Sequence, residues 1–159
     1  MKKLILSSLL VSMFSASSIA AETTTIDISA DIPSDEFHFR PVAAITGTQD
    51  MHYNQLTKSL SGLSYDFSYK VGATKAISAT MNTSAVLTNG TNDIPLTVAV
   101  GGVALTAGSP EEVVAKDDTN PQSGVTKLTI EPTTATVDNT NAANVGTYTG
   151  TVEIVFDAS

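Results

Sequence analysis

The sequence predicts an all-β sandwich, and three observations carry that prediction. Past residue 20 the chain is rich in Thr, Ala, Asn and Val; short runs alternate apolar with polar residues; and Gly, Asn, Asp and Pro separate the runs. A period of two sends successive side chains to opposite faces of a strand, so each run has one apolar face that needs a covering layer. Repeated short strands with turn residues between them are the pattern of a two-layer antiparallel fold.

The chain opens on an export signal, residues 1–20. Lys2 and Lys3 form a basic start, Leu4 to Ile19 an apolar run broken by serines, and Ser18-Ile19-Ala20 a small-residue cleavage site before Ala21, with a cut one residue later, after Ala21, as the alternative. The run is too short and too rich in serine for a membrane span. The mature chain then begins with ETTTIDISADIP, Glu22 to Pro33. Here Thr24, Ile26, Ile28, Ala30 and Ile32 share one side, while Asp27, Ser29 and Asp31 share the other. This is a ready-made strand from Thr24 to Ile32, stopped by Pro33.

Phe37-His38-Phe39-Arg40-Pro41 follows, with aromatics and a cation that suit either a strand covering a groove or an exposed glycan-binding patch. From Leu63 to Val71 the aromatics Tyr65, Phe67 and Tyr69 fall on one face, and Ser64, Asp66, Ser68 and Lys70 on the other. Ile77, Ala79 and Met81 repeat the device after a turn at Gly72. In IPLTVAVGGVALTAG, residues Ile94, Leu96, Val98 and Val100 alternate, Gly101-Gly102 turns, and Val103 and Leu105 resume. A Gly pair suits a two-residue hairpin turn, which needs positive φ.

Ser109-Pro110-Glu111-Glu112 has capping-box spacing with Pro at the first helical position, so a short helical turn is expected before Val113. Val125 to Glu131 is the next strand, with Leu128 and Ile130 inward, and Thr133 to Gly146 is a long polar loop. The last strand runs from Tyr148 to Phe156, with Tyr148, Gly150, Val152, Ile154 and Phe156 on one face. About eight or nine strands follow, in one domain over residues 34–159 without internal repeats.

Composition narrows the function. Sixteen Asp and Glu against eight Lys and Arg give a net charge of −8, and no basic run could track a phosphate backbone, so nucleic acid is not an expected partner. With no Cys, the fold has neither disulfide staples nor thiolate metal sites. His38 and His52 are the only histidines. Asp50-Met51-His52 pairs a carboxylate with an imidazole, but zinc wants more donors than two, and the pair reads as a solvated face. Glu111-Glu112 and Asp117-Asp118 do not fit a calcium loop, and no nucleophile elbow or phosphate cradle is present. No enzyme, metal or cofactor is expected.

Periodicity leaves two homes for Thr24 to Ile32. The strand pairs within its own sheet, as in a secreted monomeric carbohydrate-binding sandwich, or it completes a neighbour's sheet by β-augmentation. The segments AETTTIDISADIP, KAISATMNTSAVLTNGTNDIPLTVAVGGVALTAG and VGTYTGTVEIVF, in that order and spacing, resemble the major pilins of the class 5, or alpha, fimbriae. That group includes the colonisation factor antigen I pilin and is assembled by the alternate chaperone and usher pathway. Gly146-Thr-Tyr148-Thr-Gly150 before the terminal strand, and the Gly-Gly hairpin after Ile94 to Val98, carry most of the resemblance. Phe37 to Thr57 carry none of it.

The resemblance implies an immunoglobulin-like sandwich that lacks one strand and is completed by donor-strand exchange. Residues 21–33 would then be the donor segment, with Thr24, Ile26, Ile28, Ala30 and Ile32 entering the groove of the next subunit. Tyr148, Val152, Ile154 and Phe156 would form part of the acceptor core. The implied partners are further copies of the chain, a periplasmic chaperone, an outer-membrane usher and a minor tip adhesin. The implied destination is a surface fimbrium, reached through the periplasm. The three isoleucines are worth about 1.5–3 kcal/mol each when fully buried.

Overall fold

The structure, a computed structural model, describes residues 37–134 and 136–159. The expected signal and the strand from Thr24 to Ile32 lie outside the described residues. Within them the chain forms β1 (Phe37–Pro41), β2 (Tyr53–Asn54), β3 (Ser59–Leu60), β4 (Leu63–Val71), β5 (Ile77–Met81) and β6 (Val86–Thr88). It continues with β7 (Asp93–Val100), β8 (Val103–Ala104), β9 (Pro110–Val114), β10 (Gln122–Pro132), a single 3₁₀ turn at Ala142–Asn144, and β11 (Ile154–Ala158).

Two sheets make the sandwich. The larger has the order β1-β4-β10-β7-β6, with β8 also on β7; the smaller has the order β11-β5-β9, and β2 and β3 form a separate hairpin. All these pairings are antiparallel. The alternating runs bury the faces their periodicity marks. Phe67, Val98, Val100 and Leu128 from the larger sheet meet Ala79 and Met81 from the smaller one. Val71, Ile77, Val98 and Val100 are at most 1% exposed. Gly101 and Gly102 turn β7 into β8 with φ of 59° and 83°, the left-handed geometry a two-residue hairpin requires.

Two expectations need correction. The capping-box stretch at Ser109 to Glu112 does not start a helical turn: Pro110 to Val114 is a strand paired to β5, with Ile77 opposite Val114 and Thr80 opposite Pro110. Pairing on the open edge of β5 lets Val114 join the core, which a local cap cannot match.

The last strand begins at Ile154, not at Tyr148. Upstream of it Thr149 exchanges backbone hydrogen bonds with Thr88, at 2.9 and 3.0 Å, on the β6 side of the larger sheet. The chain then crosses to pair with β5 in the smaller sheet. A segment that changes sheets cannot stay one continuous strand. The crossing also explains Gly150, where an added Cβ would run into the carbonyl of Val86.

Candidate functional site

The strands at the ends of the sheet orders decide where the domain is open. Among the described residues β1 has a hydrogen-bonded neighbour only in β4, and β11 only in β5. These two edges belong to different sheets and lie on the same side of the sandwich, because Phe39 of β1 stacks on Phe156 of β11 with ring centroids 4.0 Å apart. Phe67 of β4 completes the cluster, 5.2 Å from Phe39 and 6.0 Å from Phe156. Aromatic contacts of this kind hold the two layers together where, among the described residues, no backbone ladder does.

The seam between the edges is apolar and incompletely covered. Phe37 and Phe39 on one side, and Val152, Ile154, Phe156 and Ala158 on the other, all pack on core residues yet remain only half-buried. An edge strand carries a row of backbone donors and acceptors ready for another strand. Two such edges flanking an apolar trough can accept one extended segment that pairs with either edge and lays alternate side chains inward.

The seam has a direction. At one end Phe37 and Ala158 pack against Val71, Ile77 and Val114. Phe39 and Phe156 follow. A cleft of about 590 Å³ lies between Thr48 to Met51, which follow β1, and Gly146 to Gly150, which precede β11, with Leu87 of β6 and Ile94 of β7 also in its lining. Tyr148 belongs to this cleft rather than to the β11 row; it is half-buried and donates its hydroxyl to the Asn144 carbonyl at 3.2 Å. Thus Val152, Ile154 and Phe156 pack together on the core along the seam, while Tyr148 stands in the cleft.

Side-chain hydrogen bonds fix the walls of the cleft. Tyr53 donates to the Val137 carbonyl at 2.8 Å, and Asn139 Nδ2 donates to Gln55 Oε1 at 2.9 Å, so the polar loop after β10 is tied to the β2–β3 hairpin. Tyr65 donates to Gln49 Oε1 at 3.1 Å. Asn89 Nδ2 and Asn92 Nδ2 both donate to the Ala143 carbonyl. The Asp138 carboxylate accepts from the backbone N–H and the hydroxyl of Thr140, and lies 3.8 Å from Lys58 Nζ; these bonds hold its pKa below the ordinary 3.8. Sequence reasoning missed this network. Only the density of Asn, Asp and Thr in residues 133–146 hints at it.

The remaining sequence candidates come apart. His38 lies in β1 and His52 precedes β2, with the His52 N–H donating to Ser61 Oγ. Among the described residues no group of three His, Asp or Glu side chains could hold a metal. Asp117 is spent on a local turn, accepting from the Thr119 N–H and hydroxyl and from the Asn120 N–H, which lowers its pKa. The Phe37 to Pro41 aromatics face the seam and are not an open glycan platform.

Comparison with known proteins adds three findings. The CS1 type fimbrial major subunit family matches residues 22–157. No curated protein matches the sequence. Among solved structures the chain is similar to the CooA pilin subunit from enterotoxigenic Escherichia coli, with 18% identity and a TM-score of 0.59 over 78% of this chain and 88% of that one. At that identity the likeness speaks for the fold alone, and the fold is a pilin's.

Proposed function

Because the chain belongs to the CS1 type fimbrial major subunit family, whose members are structural subunits polymerised into cell-surface fimbriae, we propose that its fibre is built by donor-strand complementation. The observation that carries this is the seam between two strand edges, β1 and β11, which among the described residues each have one ladder neighbour and which flank half-buried Phe37, Phe39, Ile154 and Phe156. The donor is Thr24 to Ile32 of the next subunit. Its Ile26, Ile28 and Ile32 would add about 5–9 kcal/mol of gross burial before ordering costs, comparable to the stability of a small domain. Residues 21–33 act as donor and residues 34–159 as the pilin domain, after removal of residues 1–20.

A seam left empty is an aggregation hazard, so the subunit travels the periplasm covered by a chaperone and is handed to an outer-membrane usher, with a minor adhesin at the tip. Filling it from a neighbour is a heterologous contact that does not close on itself, and such contacts produce open filaments. Membership in a family of fimbrial subunits sets aside the monomeric carbohydrate-binding module.

Ile28→Asp tests the proposal. It places an unpaired charge in the apolar seam of the acceptor and leaves β1 to β11 untouched. The variant should run as monomer in unheated gels, with secondary structure unchanged, where the wild type gives a ladder. A normal ladder from Ile28→Asp would overturn the donor assignment.

A further inference from the structure

We propose that the outer face of the larger sheet docks on the outer face of the smaller sheet of another copy in the same fibre, as a side contact between copies that the polymer holds near each other. This goes beyond the donor-strand reading and rests only on the chain being a fibre subunit. Ladder register defines both faces. On the larger sheet Arg40, Ser68 and Val125 form an outward row across β1, β4 and β10. His38, Lys70 and Ser123 make the next row on one side, and Asp66 and Lys127 the next on the other. Lys2 and Lys3 precede the cleavage site, and three of the six remaining Lys and Arg, namely Arg40, Lys70 and Lys127, share this one face. On the smaller sheet Asp157, Ser78 and Glu112 form an outward row across β11, β5 and β9, next to the row Val155, Thr80 and Pro110. Those two rows hold acids and no cation, and Glu153, just before β11, is exposed beside them.

Each face also carries one large exposed apolar side chain: Val125 is 64% exposed on the basic face and Val155 is 50% exposed on the acidic one. Two larger-sheet faces, or two smaller-sheet faces, would set like charges against each other. One of each sets opposite charges around a pair of valines. The outer faces of a sandwich point away from each other, so a molecule cannot satisfy its own pair and the contact must join two copies. It is heterologous and leaves a free face of each kind on the pair, so it can repeat along a filament. Size explains why the polymer is needed. Three strands about 4.8 Å apart, each contributing about five residues, make a patch of a few hundred Å². That is far below the roughly 1,200 Å² buried in a stable interface, so free subunits do not associate through it, whereas copies tethered in one fibre meet at effective concentrations on the order of mM. The contact is also salt-sensitive, because the Debye length falls from about 10 Å at 0.1 M to about 3 Å at 1 M.

The test uses fibres of the full-length chain, which has no cysteine of its own. The double variant Val125→Cys with Val155→Cys, treated in assembled fibres with a short bifunctional maleimide, should give a covalent ladder under denaturing conditions. Tenfold dilution of the fibres should leave that ladder unchanged, and 1 M salt should weaken it. Adding Arg40→Glu and Lys70→Glu should reduce cross-linking at least tenfold, and so should adding Glu112→Lys and Asp157→Lys instead. All four reversals together should restore most of it, which damage to the fold could not do. No ladder from the cysteine pair would overturn the proposal, as would a ladder indifferent to the reversals. A ladder that fades on dilution would assign the contact to neighbouring fibres and overturn it as well. Dimers from Val125→Cys alone would show like faces meeting, with the same consequence. If a sulfated glycan shields Val125→Cys from maleimide in fibres that give no ladder, the basic face belongs to an anionic glycan and the proposal falls. Failure of donor-strand exchange shows separately, as normal fibres from Ile28→Asp.

Discussion

Val98 and Ile154 sit in the same kind of alternating run, yet Val98 is 1% exposed and Ile154 is only half-buried. The difference lies in what flanks each strand. Val98 is in β7, with β10 on one edge and β6 and β8 on the other. Ile154 is in β11, which among the described residues has β5 on one side and no ladder on the other. Side-chain periodicity fixes which face of a strand turns inward, but the number of neighbouring strands fixes how completely that face is covered. Among the described residues the sandwich thus has a closed centre and an open side written in one sequence style.

The largest expected effect lies in the closed centre. Ile77 is fully buried in the small cluster with Val71 and Val114. Replacing Ile77 with Ala should cost about 2–5 kcal/mol, through lost transfer energy and the cavity left behind. A urea titration of the free subunit reads this directly. A loss under about 1 kcal/mol would mean that the centre is no better packed than the seam.

Gly150 joins the two regions, since it sits where the chain crosses from Thr88 of the larger sheet to β5 of the smaller. Its added Cβ would meet backbone, the Val86 carbonyl, which cannot swing away as a side chain could. Gly150→Ala should therefore cost about 1–3 kcal/mol and speed amide exchange at Thr88 and Thr149, whose mutual hydrogen bonds hold the crossing. Unchanged exchange at both amides would show that the crossing relaxes freely.

Phe156 gives the next smaller effect. A fully buried Phe loses about 3–5 kcal/mol on truncation to Ala, but Phe156 is half-exposed in the seam, and about 1–2 kcal/mol is expected in the free subunit. On the donor-strand proposal the loss should be larger in the fibre, because a donor strand would complete its burial. Thermal melting of free subunit and fibre, each with and without Phe156→Ala, measures the gap. Equal losses in the two states would mean the donor does not cover Phe156.

Most of the closed centre was legible in the sequence. β4, β5 and β7 appear where alternation puts them, since two-sided strand neighbours leave little room for any other conformation. The short pairs β2–β3 and β8 carry too few residues to show a period. The strand at Pro110 was masked by a local cap pattern that sheet pairing overrode. At the open side, Val152, Ile154 and Phe156 were legible as one row. The placement of Tyr148 at the cleft was not, because the change of sheet after Thr149 depends on a long-range partner, Thr88. The side-chain bonds that shape the cleft were also hidden, because they join residues far apart in the chain, such as Tyr53 and Val137.

The smallest effect concerns that polar rim, and it turns on pH. Asp138 accepts from the Thr140 N–H at 3.0 Å and from its hydroxyl, and its own carbonyl accepts from Asn144 Nδ2 at 2.8 Å. Next to it, the Val137 N–H donates to the Lys58 carbonyl at 2.7 Å, so the turn at Asp138 helps hold the loop on the hairpin beside the cleft. The carboxylate's pKa is lowered first by the Thr140 N–H, then by the Thr140 hydroxyl, and least by Lys58. A carboxylate whose native pKa is depressed contributes stability that is complete above its unfolded value and is lost as the pH falls through the native one. The contribution is therefore constant from neutral pH down to about 3.8 and fades only below it. Asp138→Asn keeps an oxygen acceptor but not the charge. Amide exchange at Thr140 should be faster in the variant than in the wild type above pH 4, and the two should converge as the pH drops below the native pKa. A difference that persists undiminished below that point would mean that the shape of the turn, and not the charge of Asp138, holds the rim of the cleft.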